Sequence, residues 1–265
     1  MQNISSSSHD TTIKAITPLQ LTSWCDQYLA IDAFKDYCPN GLQIDADVPI
    51  RHLVTAVTAS QRLIDAAIAA NADAILVHHG YFWKGEDPVL TGIKGKRIRS
   101  LLQNHISLLA YHLPLDAHPN VGNNVQLAQR LGLKFIGGLY PQESHPVGNI
   151  CECPTQTIGS LIDNITQVLN RKPLHLSAGH TQVTKIAICT GAAQDMIEQA
   201  AKQNCDVFIS GEVSERTTHL ARELNIDYLA CGHHATETFG VQALGDLIAK
   251  QFGIQVSFID DPNPV

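Results

Sequence analysis

The chain of 265 residues carries 25 acidic against 18 Lys and Arg side chains, a formal charge of −7, with 44% hydrophobic and only 16% charged residues. That length buries a real core, in one large domain or two small interlocked ones; the low charge density argues against a disordered chain, and a net acidic chain without a long Lys/Arg run argues against a nucleic-acid or anionic-membrane binder. Histidine stands out, with 13 residues against 7 Phe, 6 Tyr and 7 Cys.

The N-terminal stretch MQNISSSSHDTTIKAIT has no basic segment followed by an apolar one, and nothing in the chain approaches the roughly 20 apolar residues of a membrane span. Residues 1–16 read as a disordered tail, and the fold is expected over 17–265, with Thr17 capping a helix from Pro18 to Ala30. The seven cysteines include no C-x-x-C pair, so a cytoplasmic protein without a disulfide framework is expected. Leu53 to Val57 reads as a strand, Gln61 to Ala70 as a helix and Ala74 to Val77 as a buried strand. This alternation of strands and amphipathic helices implies an α/β fold of largely parallel or mixed sheet.

The unit recurs. Sliding the sequence by 133 positions (Ile186 minus Leu53) lays LVTAVTASQRLIDAAIAANADAILV over IAICTGAAQDMIEQAAKQNCDVFIS without a gap. Ala59, Gln61, Ile64, Ala67 and Asp73 then meet identical residues at Ala192, Gln194, Ile197, Ala200 and Asp206. Any two βαβ units share apolar periodicity, but here the echo continues. A helix from Ile98 to Asn104 leads to the strand ISLLAYH and then LPLD, while one from Thr218 to Leu224 leads to IDYLACG and then HHATE. An internal duplication into two similar lobes, roughly 17–130 and 131–265, follows, with the C-terminal segment able to return to the first lobe.

Three clusters sit just beyond strands: His78-His79-Gly80, the stretch from His112 to Asp116, and the stretch from Gly232 to Glu237. Ligands collect at the carboxyl ends of strands in α/β sheets, where loops and helix N-termini converge. Lone histidines such as His105 and His175 read as hydrogen-bonded structural residues, whereas tandem pairs at strand ends do not. His78 and His79 reach one site only if the chain leaves the strand there, a turn that Gly80 permits. His233 and Glu237, four residues apart, share a helix face. Three imidazoles with Asp116 and Glu237 suit one or two first-row divalent ions, and five protein ligands favour two, with the glutamate able to bridge. Phosphate-loop glycine motifs and a G-x-S-x-G elbow are absent, so a nucleotide-phosphate loop and a serine hydrolase are not indicated. Glu212, which the shift places over His79, reads either as lining the same cavity or as beginning a surface helix, and His234 stays ambiguous.

The stretches DYCPNGLQI, VTASQ, ILVHHGYFWKG, YHLPLDAHPNVGNN, ISGEVSE and GHHATE closely resemble the GTP cyclohydrolase I type 2 homologues, the NIF-three-like proteins, in their short bacterial form. The resemblance spans about Thr17 to Pro264. It implies an α/β protomer of two similar interlocked lobes, each a mixed sheet flanked by helices, and a homohexameric ring built as a trimer of dimers. It also implies two divalent ions per chain (zinc, iron, manganese or nickel) on His78, His79, Asp116, His233 and Glu237. A metal-dependent hydrolase acting on a nucleotide or related small molecule is the expected activity. His112 is the candidate proton donor or a residue that supports the ligands, and Tyr81 and Lys84 are candidate substrate contacts. A metal-handling ring without enzymatic activity would use the same ligands.

Overall fold

The computed structural model describes residues 14–265; most of the tail expected at the N-terminus lies outside them. Contacts begin ahead of Thr17, for the Lys14 N–H donates to Gly253 O and Ile16 bridges Ile50. Thr17 then caps α1 (Pro18–Leu29) in a reciprocal box with Gln20, and Ala30 closes the helix in the left-handed region. There follow β1 (Gly41–Ile44), β2 (His52–Thr58), α2 (Gln61–Ala69), β3 (Ala74–His79), α3 (Gly92–Gln103), β4 (Ser107–Ala110), α4 (Leu113–Ala117) and α5 (Asn123–Arg130). The second half adds β5 (Lys134–Gly138), β6 (Asn149–Thr157), α6 (Ile158–Leu169), β7 (Leu174–Leu176), β8 (Gln182–Cys189), α7 (Ile197–Lys202), β9 (Val207–Ser210), α8 (Glu215–Glu223) and β10 (Asp227–Ala230). Three elements close the chain: α9 (His233–Thr236), α10 (Thr238–Phe252) and β11 (Gln255–Phe258).

Two mixed sheets result, in the orders β1-β4-β3-β2-β11 and β5-β6-β8-β9-β10-β7. The parallel trio β2-β3-β4 has its counterpart in β8-β9-β10. Leu53 pairs with Ala74, and Ile186, its equivalent under the 133-residue shift, pairs with Val207. The shared aspartates explain the shared register. Asp73 accepts from the N–H groups of Arg51 and His52 at 2.7 and 2.9 Å, and Asp206 accepts from those of Thr184 and Lys185 at the same distances. The copies diverge at the helix that follows. Ser60 Oγ accepts from Leu63 N and starts α2 cleanly, whereas Ala193 has no oxygen to offer and the chain opens with a 3-10 turn, Gln194–Met196, before α7.

Alternate strand residues bury on opposite faces. On the first sheet, Leu53, Leu76 and Leu109 pack with α1 and with Val241, Leu244 and Ile248 of α10, while Val54, Ile75 and Val77 pack under α2 and α3. On the second, Ile186, Val207 and Leu229 pack with α5 and α6, and Ala187, Phe208 and Tyr228 with α7 and α8. The halves interlock: α10 leaves the second sheet, covers the first, and delivers β11 parallel to β2. All seven cysteines are free thiols. Among the described residues no helix is long and apolar enough to cross a membrane.

Candidate metal centre

The carboxyl ends of the two parallel trios meet at one place. His78 and His79 end β3, Asp116 lies in α4 just after β4, and His233 opens α9 directly after β10, one turn before Glu237. Their polar atoms form two sets. His78 Nε2 stands 3.4 Å from Asp116 Oδ1 and 3.5 Å from Glu237 Oε1. His79 Nε2 and His233 Nε2 each stand 3.3 Å from Glu237 Oε2. Glu237 thus gives one oxygen to each set.

These separations are too long for good hydrogen bonds, whose N···O distances fall near 2.7–3.2 Å. His78 Nε2 and Glu237 Oε2 are in fact buried without a hydrogen-bond partner. Ligands about 2.1 Å from a tetrahedral divalent ion lie about 3.4 Å from one another, so the spacing is that of donors around a cation. The residues present therefore fit a metal: each set holds imidazole nitrogen and carboxylate oxygen, and could hold one ion.

Every imidazole is turned by its other nitrogen. Nδ1 of His78 donates to Tyr111 O at 2.9 Å, that of His79 meets Thr58 Oγ1 at 3.2 Å, and that of His233 meets Glu212 Oε1 at 2.7 Å. Such contacts fix ring orientation and leave Nε2 for a ligand. Asp116 Oδ1 accepts from Asn123 Nδ2 at 2.9 Å and Thr190 Oγ1 at 3.3 Å, and Asn124 Nδ2 donates to the Asp116 backbone carbonyl. Gly191, at φ +70°, leaves room that a side chain would not: a Cβ there would stand 2.2 Å from Glu237 Oε1. Gly80 is required for the same reason of space, a Cβ there meeting the Cβ of Ala110 at 2.6 Å. Its backbone is not in the left-handed region, so close packing rather than a special turn explains it.

Charge in this cavity is strongly coupled. Burial opposes a proton on His78, but the Asp116 and Glu237 carboxylates outweigh it and pull the imidazole up to about 10. Burial drives His79 down to about 3; the pull of Glu237 does not compensate, and neighbouring imidazoles add to the fall. Burial likewise opposes charge on His233, which Glu237 and Glu212 raise to about 9. Burial would raise Glu237, yet the surrounding imidazoles hold it well below the usual carboxylate range. Asp116 moves the other way, raised chiefly by burial.

The other sequence candidates fall around this core. His112 lies at its edge, its ring centroid 5.1 Å from that of His78 and 5.8 Å from that of His79. Tyr81 is not brought to the cluster: it is buried in the first-sheet core, with its hydroxyl hydrogen donated to Ala59 O at 2.8 Å. Lys84 is exposed, and its backbone N–H donates to Tyr37 O. His234 turns toward Asp260, at 2.8 Å, and His175 toward Asp227, at 2.6 Å. The supporting residues Thr58, Asn123, Asn124, Thr190 and Gly191 were not singled out from sequence. The glycine after the strand of the second copy was the available signal for the last of them.

Comparison with known proteins places the chain in a family. The model of the Duf34/NIF3 (NGG1p interacting factor 3) family matches residues 17–264. A Vibrio cholerae protein called GTP cyclohydrolase 1 type 2 homolog is 51% identical over 93% of this chain and 99% of its own. Among solved structures, protein ybgI, described as of unknown function, superposes with a TM-score of 0.90 at 43% identity, covering 94% of this chain and all of its own. A Thermus thermophilus structure gives 0.86 at 31% identity, again over 94% of this chain and the whole of that one. The chain belongs to the Duf34/NIF3 family.

Proposed function

We propose that the chain is a two-ion metal-dependent hydrolase acting on a nucleotide or a related small molecule, with His78, Asp116, His79 and His233 as ligands and Glu237 bridging. The observation that supports it is the pair of donor sets sharing one buried carboxylate, each of three donors, one short of a tetrahedral ion's four. Divalent ions there would lower the pKa of a bound water and polarise a substrate oxygen or phosphate. The protein's own part is orientation and charge. Tyr111 O, Thr58 and Glu212 hold three imidazoles in place, and two carboxylates supply the negative charge that a divalent pair needs. His112 is the group proposed to exchange a proton with substrate. Lys84, exposed one residue beyond Trp83, is proposed to meet a substrate's negative charge. The name borne by the Vibrio cholerae relative makes GTP the first substrate to offer. Six copies in a ring, a trimer of dimers, complete the proposal.

Turnover tests it. Zinc-, iron-, manganese- and nickel-loaded protein offered GTP, other nucleotides and phosphoesters should release product with at least one metal, and Glu237→Ala should abolish that release. Equal inactivity of wild type and variant across the panel would contradict the hydrolase and move the assignment to the metal-handling ring.

A further inference from the structure

His112 belongs to neither donor set, yet the loop before β1 clamps it. Its backbone N–H donates to Asn40 Oδ1 at 2.7 Å, and its Nδ1 lies 2.7 Å from Asp36 Oδ1. The second Asp36 oxygen accepts from Leu113 N and from Asn40 Nδ2, both at 2.9 Å. The Asp36 side chain is only 3% exposed. Trp83 stands edge-on to the His112 ring at 5.0 Å.

A carboxylate only accepts, so the hydrogen between Asp36 and His112 is on Nδ1, and of the two imidazole tautomers only the one with its lone pair on Nε2 fits this contact. Nε2 has no hydrogen-bond partner among the described residues, while a ring nitrogen of His112 comes within 4.8 Å of those of His78 and His79. We propose that Asp36 is a positioning residue: by taking the Nδ1 hydrogen it selects the tautomer of His112 that presents an acceptor to a ligand bound at the two donor sets. His112 therefore favours molecules that carry an N–H or O–H beside their metal-binding oxygens. This rests on the two-ion reading for its ligand, but the tautomer is measurable without any ion.

The geometry dictates the outcome of Asp36→Asn. Leu113 N–H and Asn40 Nδ2 both point at Asp36 Oδ2, while Tyr37 N–H, at 2.6 Å, and His112 Nδ1 point at Oδ1; of these donors only the His112 ring can move its hydrogen, so the amide oxygen takes the Oδ2 position, the Tyr37 contact is lost, and the amide nitrogen faces His112 Nδ1. Nδ1 must then accept, and the hydrogen moves to Nε2. Long-range proton–nitrogen correlation spectra of the histidine-labelled full chain, metal-free and zinc-loaded, should show His112 with hydrogen on Nδ1 in wild type and in Asp36→Glu. In Asp36→Asn it should be on Nε2, with His112→Gln giving the assignment. Zinc content should be the same in wild type and Asp36→Asn. Acetohydroxamate, a zinc ligand with an N–H, should bind zinc-loaded Asp36→Asn about tenfold more weakly than wild type, the scale of one hydrogen bond, while acetate should bind both alike. Hydrogen on Nε2 in wild type, an unchanged tautomer in Asp36→Asn, or equal weakening of both probes would overturn the proposal. So would zinc loss in Asp36→Asn matching that of His78→Ala, because His112 would then be a ligand. Failure of wild type to bind zinc would remove the two-ion reading and leave the tautomer result standing.

Discussion

His78 shows what the chain does with one side chain. Fully buried, with Nδ1 engaged by Tyr111 O, it keeps Nε2 between two carboxylates without a hydrogen bond. Without a cation, protons balance those carboxylates, which is why His78 is drawn up to about 10 and His233 to about 9. Metal uptake at pH 7 should therefore release about two protons per chain, measured by titration calorimetry in buffers of different ionisation enthalpy. Release should fade above pH 10, where both rings are already neutral, and affinity should weaken in acid. The sign for metal-free stability follows from the same shifts. Raised histidines stabilise the fold fully below their unfolded value of 6.5, and that contribution is lost as pH climbs through 9 and 10. His78, His79, Asp116, His233 and Glu237 were legible in the sequence because each stands within a few residues of a buried strand's end. Thr58, Asn123, Thr190 and Asp36 were not. Each acts through a partner that only the tertiary fold brings near, as Thr190 does on Asp116 across 74 positions.

At the scale of elements, the duplication was readable as matched apolar spacing, and the structure adds its cause in hydrogen bonds. Asp73 and Asp206 each clamp two consecutive backbone N–H groups, at the entry to β2 and within β8, setting the same register twice. The sequence could not show that one copy would open its helix with a 3-10 turn, because the absence of a cap at Ala193 matters only once the chain turns there. Asp206→Ala leaves two β8 backbone donors without their carboxylate and should cost about 1–2 kcal/mol in denaturant unfolding at pH 7. Burial would raise this carboxyl, but the N–H groups of Lys185 and Thr184 and the Thr184 hydroxyl outweigh it and lower it from 3.8. Its stabilisation is thus present above that value and lost as pH falls through the lowered one. The difference between wild type and variant should shrink on acidification; a difference independent of pH would contradict the clamp.

For the whole molecule, the decisive fact is that neither donor set belongs to one sheet. His78 and Asp116 come from the first and meet Glu237, while His79 from the first meets His233 and Glu237 beyond the second. From that seam α10 runs on to pack over the first sheet through Val241, Leu244 and Ile248. The protomer also leaves large apolar side chains in the open, among them Val89, Leu90 and Ile93 on one segment and Phe135 on the edge strand β5. A ring of six would cover such surface. Sedimentation should give a species about six times the 28.8 kDa chain mass, and a stable monomer at micromolar concentration would contradict the ring.

The central claim, two ions joined by one carboxylate, meets its most direct test in elemental analysis of untagged protein reconstituted with a single metal. Wild type should hold about two ions per chain. Asp116→Ala and His233→Ala, each stripping a ligand from one set only, should fall to about one, and Glu237→Ala should retain less than either. One ion in wild type, or metal content unchanged in all three variants, would contradict the account.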